Sequence, residues 1–259
     1  MSRAILPFCF ALCIISAAVM ADGQAEYSAE RGAAFSRASA GLTVSSLGIG
    51  VAGATNLAQH LDLRLFGDYT NLTHRYTRSR FQIALNVGLA NAGAAVDFYP
   101  MARFPLRISP GFLYFNENRV TAELHAEPGA TLTMNNVEYA SDGSDPVHGT
   151  GRLYLGGAGF MATTGLGRIV SHTHKRFTFP FEAGVLFIPT PSAQFNLLGS
   201  VCDATRPSLC QPAAQFPAFE QNRIAQLATW NRRLGPFHIY PIVKGGVSYS
   251  FPLRRRAAY

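Results

Sequence analysis

The most constraining stretch of this chain is near its end, where residues 237–251 read FHIYPIVKGGVSYSF. Every second position from Phe237 to Phe251 holds an apolar residue or glycine, in the order Phe, Ile, Pro, Val, Gly, Val, Tyr and Phe, and the positions between them include His238 and Lys244. Successive side chains of a β-strand point to opposite faces, so this period of two predicts a strand with one apolar face. At about 3.3 Å per residue, the strand is long enough to cross a bilayer when tilted. Aromatic residues near both ends of its apolar face are typical of a strand that faces lipid.

The end of this strand resembles the C-terminal insertion signal of Gram-negative outer-membrane barrels. Gly246, Tyr249 and Phe251 match the glycine, the alternating aromatics and the final phenylalanine of that signal. The sequence departs from the pattern at Gly245, where a polar residue is usual, and in the residues 252–259 that follow the phenylalanine. The resemblance implies two partners, the barrel-assembly machinery during insertion and outer-membrane lipids afterwards.

The first residues have the layout of a secretory signal peptide. Arg3 precedes an apolar run over 4–20, and small residues follow with cleavage expected after Ala21 or Ala25. Pro7 and the shortness of the run favour a signal peptide over a membrane anchor. We therefore predict a signal peptide over 1–25, a small, polar periplasmic lead-in over 26–40 and one barrel domain over 41–259.

The rest of the chain contains no apolar run of transmembrane-helix length, although 48 % of its residues are hydrophobic. Those residues must then lie in strands, and the alternation places strands at 41–56, 61–69, 81–89, 94–98, 106–114, 153–162, 177–187 and 237–251, with a tight turn at 91–93. This predicts an all-β fold, an antiparallel transmembrane β-barrel of about eight strands. The polar connections 120–150 and 189–236 would be long extracellular loops.

The two long connections contain further local signals. In an exported protein, Cys202 and Cys210 predict a loop-closing disulfide. Residues 219–234 repeat Ile224, Leu227 and Trp230 at helical spacing, which predicts a short amphipathic helix packed on the barrel rim before the last strand. Residues 131–134 predict a small hairpin.

The charged residues on the polar faces of the strands are predicted to line the barrel interior. These residues, the lumen charge network, are Asp62, Arg64, Asp68, Arg80, Asp97, Arg107, Glu182 and Lys244. An eight-stranded barrel has room inside for little beyond its own side chains, and buried charges are tolerated when they are paired. Four acids and four bases therefore predict a salt-bridged, narrow or closed lumen and not a charge-selective channel.

Several motifs carry a family resemblance. They are LGIGVAGATNL, HLDLRLFGDY, AGAAVDFYP and LRISPGFLYFNENRV in residues 47–120, then FTFPFEAGVLF and YPIVKGGVSYSF. Together they resemble a family of uncharacterised proteobacterial and acidobacterial outer-membrane barrel proteins. Phe98 stands where that family has a tryptophan, which is a conservative change. The resemblance implies a barrel with long extracellular loops and brings no catalytic residues.

Other chemistry finds little support in the sequence. The net charge of +7 does not indicate nucleic-acid binding, because charged residues make up 14 % of the chain and are dispersed. The run at 254–256 is expected to be a solvated tail or to attract lipid phosphates. His172 and His174 lack a third metal ligand, so no metal and no cofactor are expected.

The predicted function is a structural or surface-binding role through the long loops, without catalytic residues. One alternative is an outer-membrane enzyme acting on lipid, with His125, His148 or His238 as candidate bases. That alternative lacks a G-x-S-x-G motif and would need a serine within hydrogen-bond reach of a histidine at the outer rim. The other alternative is a soluble lipocalin-like barrel, in which the apolar strand faces would point inward.

Overall fold

A computed structural model describes residues 34–101, 104–171, 176–204 and 206–253, all of which belong to one compact unit, Gly32–Tyr259. The predicted signal peptide, most of the lead-in, His172, His174 and the run 254–256 lie outside these residues. In the described part of the chain, no helix has both the length and the apolar character needed to cross a membrane.

The described chain is mostly β-strand. In chain order its elements are β1 (Arg37–Ser45), β2 (Gly48–Ala58), β3 (Leu61–Arg78), β4 (Phe81–Phe98), β5 (Leu106–Asn116), β6 (Arg119–Ala126), β7 (Thr131–Met134), β8 (Val137–Ser141), β9 (His148–Tyr154), β10 (Gly159–Leu166), β11 (Phe177–Thr178), β12 (Phe181–Phe187), β13 (Ser192–Leu198), β14 (Ser200–Asp203), β15 (Arg206–Pro212), a short 3-10 helix (Ala213–Gln215), α1 (Pro217–Leu234) and β16 (Ile239–Pro252).

Eight of these strands form a closed antiparallel ring in the order β1, β2, β3, β4, β5, β10, β12 and β16. The pairing of β16 with β1 closes the ring, with Arg37 opposite Pro252 and Ser45 opposite Lys244. Closure gives every strand a hydrogen-bonded neighbour on both sides. Lipid requires this because it offers no water to hydrogen-bond unpaired backbone N–H and C=O groups. The predicted count of eight is right for the ring, and the whole chain has more strands.

The ring turns its apolar face outward. Leu42, Val44, Ile49 and Val51 of the first hairpin are 61–65 % exposed, whereas Lys244 on β16 is buried. This is the opposite of a lipocalin, whose apolar face points into the barrel. The alternation along each strand could not distinguish the two arrangements, because both have a period of two.

Two predicted strand boundaries are wrong. The stretch predicted as one strand over 41–56 is the hairpin β1–β2, and β1 already begins at Arg37, inside the predicted lead-in. The turn predicted at 91–93 does not exist, because β4 runs unbroken between β3 on one side and β5 and β6 on the other. Asn-Ala-Gly is a local turn signal, and tertiary strand pairing overrides it here.

Beyond the ring, the long strands β3 and β4 continue into a second structure, which we call the head (residues 70–89, 117–158 and 188–238). Its main sheet has the order β3, β4, β6, β9 and β13, and a smaller sheet has the order β15, β14, β8 and β7. The connections predicted as loops therefore contain strands. The predicted small hairpin is correct: Asn135 and Asn136 join β7 to β8 with φ of 50° and 63°, as a two-residue hairpin turn requires.

The head has its own apolar core, formed by Ala126, Ala130, Leu132, Tyr139, Val147, Val201, Ala213 and Phe219. The predicted helix exists as α1, and it packs against β13 and β7 of the head. The Asn231 side chain bonds both the N–H (2.7 Å) and the carbonyl (3.2 Å) of Ala193, and Arg223 donates to the Phe195 carbonyl at 2.8 Å. Helix α1 thereby covers part of the free edge of β13, which would otherwise be open to association.

The predicted disulfide is confirmed. Cys202 and Cys210 are bonded and lie directly opposite each other on β14 and β15. Because both strands belong to the smaller sheet of the head, the disulfide holds that sheet together and not the ring.

Candidate functional site: barrel lumen and head

The polarity of the two faces reverses along β3, and this marks where the strand leaves the bilayer. In the ring, the outward residues Leu65 and Tyr69 are exposed, and Arg64 on the inward face is buried. Past Tyr69, the face that pointed to lipid carries Asn71, the opposite face carries Leu72, and both are exposed. A lipid-facing surface is apolar and its aromatic residues lie at the interface, so the hydrocarbon boundary lies near Tyr69.

The centre of the lumen is a buried network of charges. Arg64 donates from Nη1 and Nη2 to the two carboxylate oxygens of Glu182 at 2.8 and 2.9 Å, and from Nη2 to Asp97 at 3.0 Å. Arg107 donates to Glu182 at 2.9 Å and to the Gly167 carbonyl at 2.7 Å. Such charge-assisted, bidentate contacts are the geometry in which buried ions are tolerated.

A second buried ion pair lies between β3 and β16. Lys244 Nζ is 2.8 Å from Asp68 Oδ2, and Thr43 donates to the other oxygen of the same carboxylate at 3.3 Å. The seventh residue of the predicted set inside the ring, Asp62, is fully buried opposite Asp97 on the β3–β4 ladder. Seven of the eight predicted residues thus have side chains inside the ring.

Arg80 is the exception. It lies at the tip of the β3–β4 hairpin, 57 % exposed, and its Nε is 3.5 Å from Glu127 of the head. The prediction for Arg80 was wrong because it assumed that residues 81–89 cross the bilayer. They pair with β6 in the head, where Gln82 is exposed and Phe81 packs against the head core.

Apolar side chains fill the lumen next to the charged groups. Leu47, Phe66, Ala95, Leu113, Met161, Leu186, Ile188 and Ile242 form a single buried cluster. Phe66 connects the two layers, since the Lys244 ammonium lies 4.4 Å from the centre of its ring. The cavity among the charged residues measures about 20 Å³, which is space for about one water molecule.

The opposite mouth of the ring is blocked by residues 167–171. Ile169 and Val170 are buried there, and the Ile169 N–H donates to the Tyr99 hydroxyl at 3.2 Å. The Ser250 hydroxyl accepts the Ser171 N–H at 2.9 Å, and the Arg168 guanidinium lies 4.5 Å from the centre of the Tyr99 ring. The lumen is therefore filled by the charged groups, by the apolar cluster and, at this mouth, by residues 167–171.

Two solved structures share this architecture. CarO of Acinetobacter baumannii has a TM-score of 0.53 and 15 % identity, over 82 % of this chain and 97 % of CarO. CarO2 of the same species has a TM-score of 0.54 and 13 % identity, over 85 % of this chain and 100 % of CarO2. No family model matches the sequence, and no curated protein matches it.

The fold is that of an outer-membrane β-barrel. A closed strand ring with an apolar outer band and a polar interior is built for a bilayer, and in bacteria such barrels occupy the outer membrane. The similarity to CarO and CarO2 concerns this fold. The narrower resemblance to proteobacterial and acidobacterial proteins stays a prediction.

The residues of the predicted insertion signal have structural roles in the barrel. A Cβ on Gly246 would lie 2.4 Å from the Leu42 carbonyl oxygen of the neighbouring β1, so this position requires glycine for close strand approach. Tyr249 packs edge-on against Phe177 at 5.1 Å and accepts a hydrogen bond from Arg176 at 3.1 Å. Phe251 is partly exposed on the outer surface. The role of these residues in insertion stays a prediction.

The head brings together two histidines that the sequence places far apart. His125 on β6 and His148 on β9 lie directly opposite each other, with ring centres 6.1 Å apart. This pairing could not be predicted locally, because both residues fall in a stretch predicted as a polar loop. Among the five histidines that the structure describes, none hydrogen-bonds a serine hydroxyl, so the arrangement that a lipid-cleaving enzyme would need is not found there.

Proposed function

We propose that this outer-membrane barrel acts through its head at the cell surface and that its lumen does not conduct solutes. The observation that carries the proposal is the filled lumen: two buried ion-pair groups, an apolar layer and a blocked mouth leave about 20 Å³ of space between the charges. Opening a path would require breaking contacts that stabilise the barrel itself.

The construction of the head supports a surface role. Its strands are paired, its core is separate from the barrel interior, and a disulfide closes its smaller sheet. A rigid scaffold that presents polar strand faces is better suited to recognition than a set of loose loops, because fewer side chains must be ordered on binding. The proposal takes both termini to be periplasmic, which makes the head extracellular.

Conductance tests the lumen part of the proposal. The purified protein, reconstituted in planar bilayers, should give no current steps. Vesicles that contain the protein should swell no more than protein-free vesicles when they are placed in a solution of sugars or amino acids. A porin prepared in the same lipid is the positive control. Reproducible solute flux, lost on changing lumen residues such as Arg64 or Glu182, would overturn the closed-lumen proposal.

Surface exposure tests the role of the head. An epitope inserted between Asn135 and Asn136, at the tip of an exposed hairpin, should bind antibody on intact cells. A matched insertion between Gln59 and His60, in the β2–β3 turn at the opposite end, should bind antibody after permeabilisation. The reverse pattern would show that the head faces the periplasm, and a surface role would then be impossible.

A further inference from the structure

The outward face of the main head sheet carries a small polar cavity. It measures about 160 Å³ and is lined by Glu123, His125, His148, Gly149, Thr150, Asn196 and Leu198. These residues come from β6, β9 and β13, three adjacent strands whose register places Glu123 opposite Thr150 and Thr150 opposite Asn196. The cavity is therefore a product of strand pairing in the head and has no counterpart in the lumen.

Two imidazoles stand side by side at the cavity. His125 and His148 are cross-strand neighbours with nearly parallel rings, 9° apart. Directly opposed residues in an antiparallel sheet have Cβ atoms about 4.5–5.5 Å apart, so rotation of the two side chains out of the stacked arrangement would bring two imidazole nitrogens to one ion. Imidazole is the ligand type preferred by zinc, copper and nickel.

A backbone contact fixes the tautomer of one of these histidines. Nδ1 of His148 is 3.1 Å from the Pro146 carbonyl oxygen, which can accept a hydrogen bond but not donate one. Nδ1 must then carry the proton, and the lone pair lies on Nε2. Histidines that bind metals commonly have this second contact, which sets the ring orientation and the nitrogen that coordinates.

Glu123 supplies a candidate third donor on the same face of the sheet. Glu123 precedes His125 by two residues and shares its face of β6, and it lies diagonally across from His148. Within the part of the chain that the structure describes, Glu123 forms no ion pair. Two imidazoles and one carboxylate are a common donor set for a zinc ion that keeps a fourth position open.

We propose that Glu123, His125 and His148 form a surface site for a divalent transition metal of the zinc type. The site is independent of the state of the lumen, so it goes beyond the proposed function. It lies on the outward face of the head, where solvent reaches its lining residues.

Calorimetric titration of the full mature protein in detergent with zinc chloride tests the proposal, with magnesium chloride as the comparison ion. Zinc should bind and magnesium should not. His125→Ala and His148→Ala should each weaken zinc binding by about tenfold or more. His74→Ala is the matched control, because His74 is an exposed strand histidine of the head that stacks on Tyr76 instead. Glu123→Gln should weaken binding less than either histidine change.

A site-resolved measurement keeps the proposal testable if a variant fails to fold, and it separates this site from His172 and His174. In the unmodified protein, zinc should protect His125 and His148 from histidine-selective acylation, read by mass spectrometry, and leave His74 reactive. Protection of His172 and His174 without protection of His125 and His148 would overturn the proposal. Unchanged zinc affinity in folded His125→Ala and His148→Ala proteins would overturn it as well.

Discussion

Breaking the Lys244–Asp68 ion pair should strongly destabilise the barrel. The two groups are 2.8 Å apart, with side chains 5 % and 0 % exposed, and they connect β16 to β3 across the lumen. Lys244→Met removes the cation and leaves the buried Asp68 carboxylate with a 3.3 Å hydrogen bond from Thr43 and a 3.5 Å contact with Ser45. We expect the free energy of unfolding to fall by about 3–5 kcal/mol, the usual effect of leaving one buried charge without its counter-ion.

A double-mutant cycle separates the pair from its surroundings. Asp68→Asn should also be destabilising, because it leaves the Lys244 ammonium buried against the Phe66 ring. The double variant should be more stable than the sum of the single losses predicts, by about 1–3 kcal/mol, because neither charge is then unpaired. Arg80→Met is the control, since Arg80 and Glu127 are about half exposed, and it should cost about 1 kcal/mol or less.

The assay is urea unfolding in lipid vesicles, followed by circular dichroism of the strands and by the gel mobility of unheated samples. Fluorescence is not a suitable probe of the barrel, because the single tryptophan, Trp230, lies on α1 in the head. If Lys244→Met costs no more than Arg80→Met, the pair is not buried as described, and the argument for a closed lumen fails.

Three further changes probe other parts of the molecule. Leu186→Ala, in the apolar layer of the lumen, should lower the free energy of unfolding by about 2–5 kcal/mol in the same assay, and an effect under 1 kcal/mol would contradict a packed layer. Replacing Cys202 and Cys210 by serine should destabilise the head by about 2–3 kcal/mol, read by Trp230 fluorescence, while strand dichroism of the ring stays unchanged. A hydrogen bond from Arg223 lowers the pKa of Glu220 below its ordinary value of 4.5, so this contact stabilises the head above pH 4.5 and its contribution is lost as the pH falls further. Glu220→Gln should remove that part of the acid sensitivity of Trp230 fluorescence, and an unchanged profile would contradict it.

The sequence predicted the barrel well because strands in lipid obey a simple rule. Every second residue of β2, β3, β5 and β16 must be apolar where it meets hydrocarbon, and this alternation is visible without any partner strand. The same rule identified seven lumen residues, since a charge on the opposite face of a lipid-facing strand can only point inward. The disulfide and α1 were also visible locally, from two cysteines in an exported chain and from helical spacing.

The head was predicted poorly because its strands meet water on one face and a small core on the other. In β6, β9 and β13, glycine, threonine and asparagine occupy positions where a lipid-facing strand would have large apolar residues, so the segments resemble loops. Arg80 was misplaced for a related reason. The alternation of 81–89 is real, but nothing local shows that it lies beyond the membrane boundary and that its polarity is therefore inverted.

The sequence by itself determined that the chain forms alternating strands, which residues share a face and how the cysteines pair. The tertiary structure decided which face points outward, where the bilayer ends near Tyr69, and which distant residues meet, such as Lys244 with Asp68 and His125 with His148. The physical reason is that side-chain alternation depends on the backbone of one strand. Register and closure depend on pairing between strands far apart in the chain, for which a single sequence carries no direct signal.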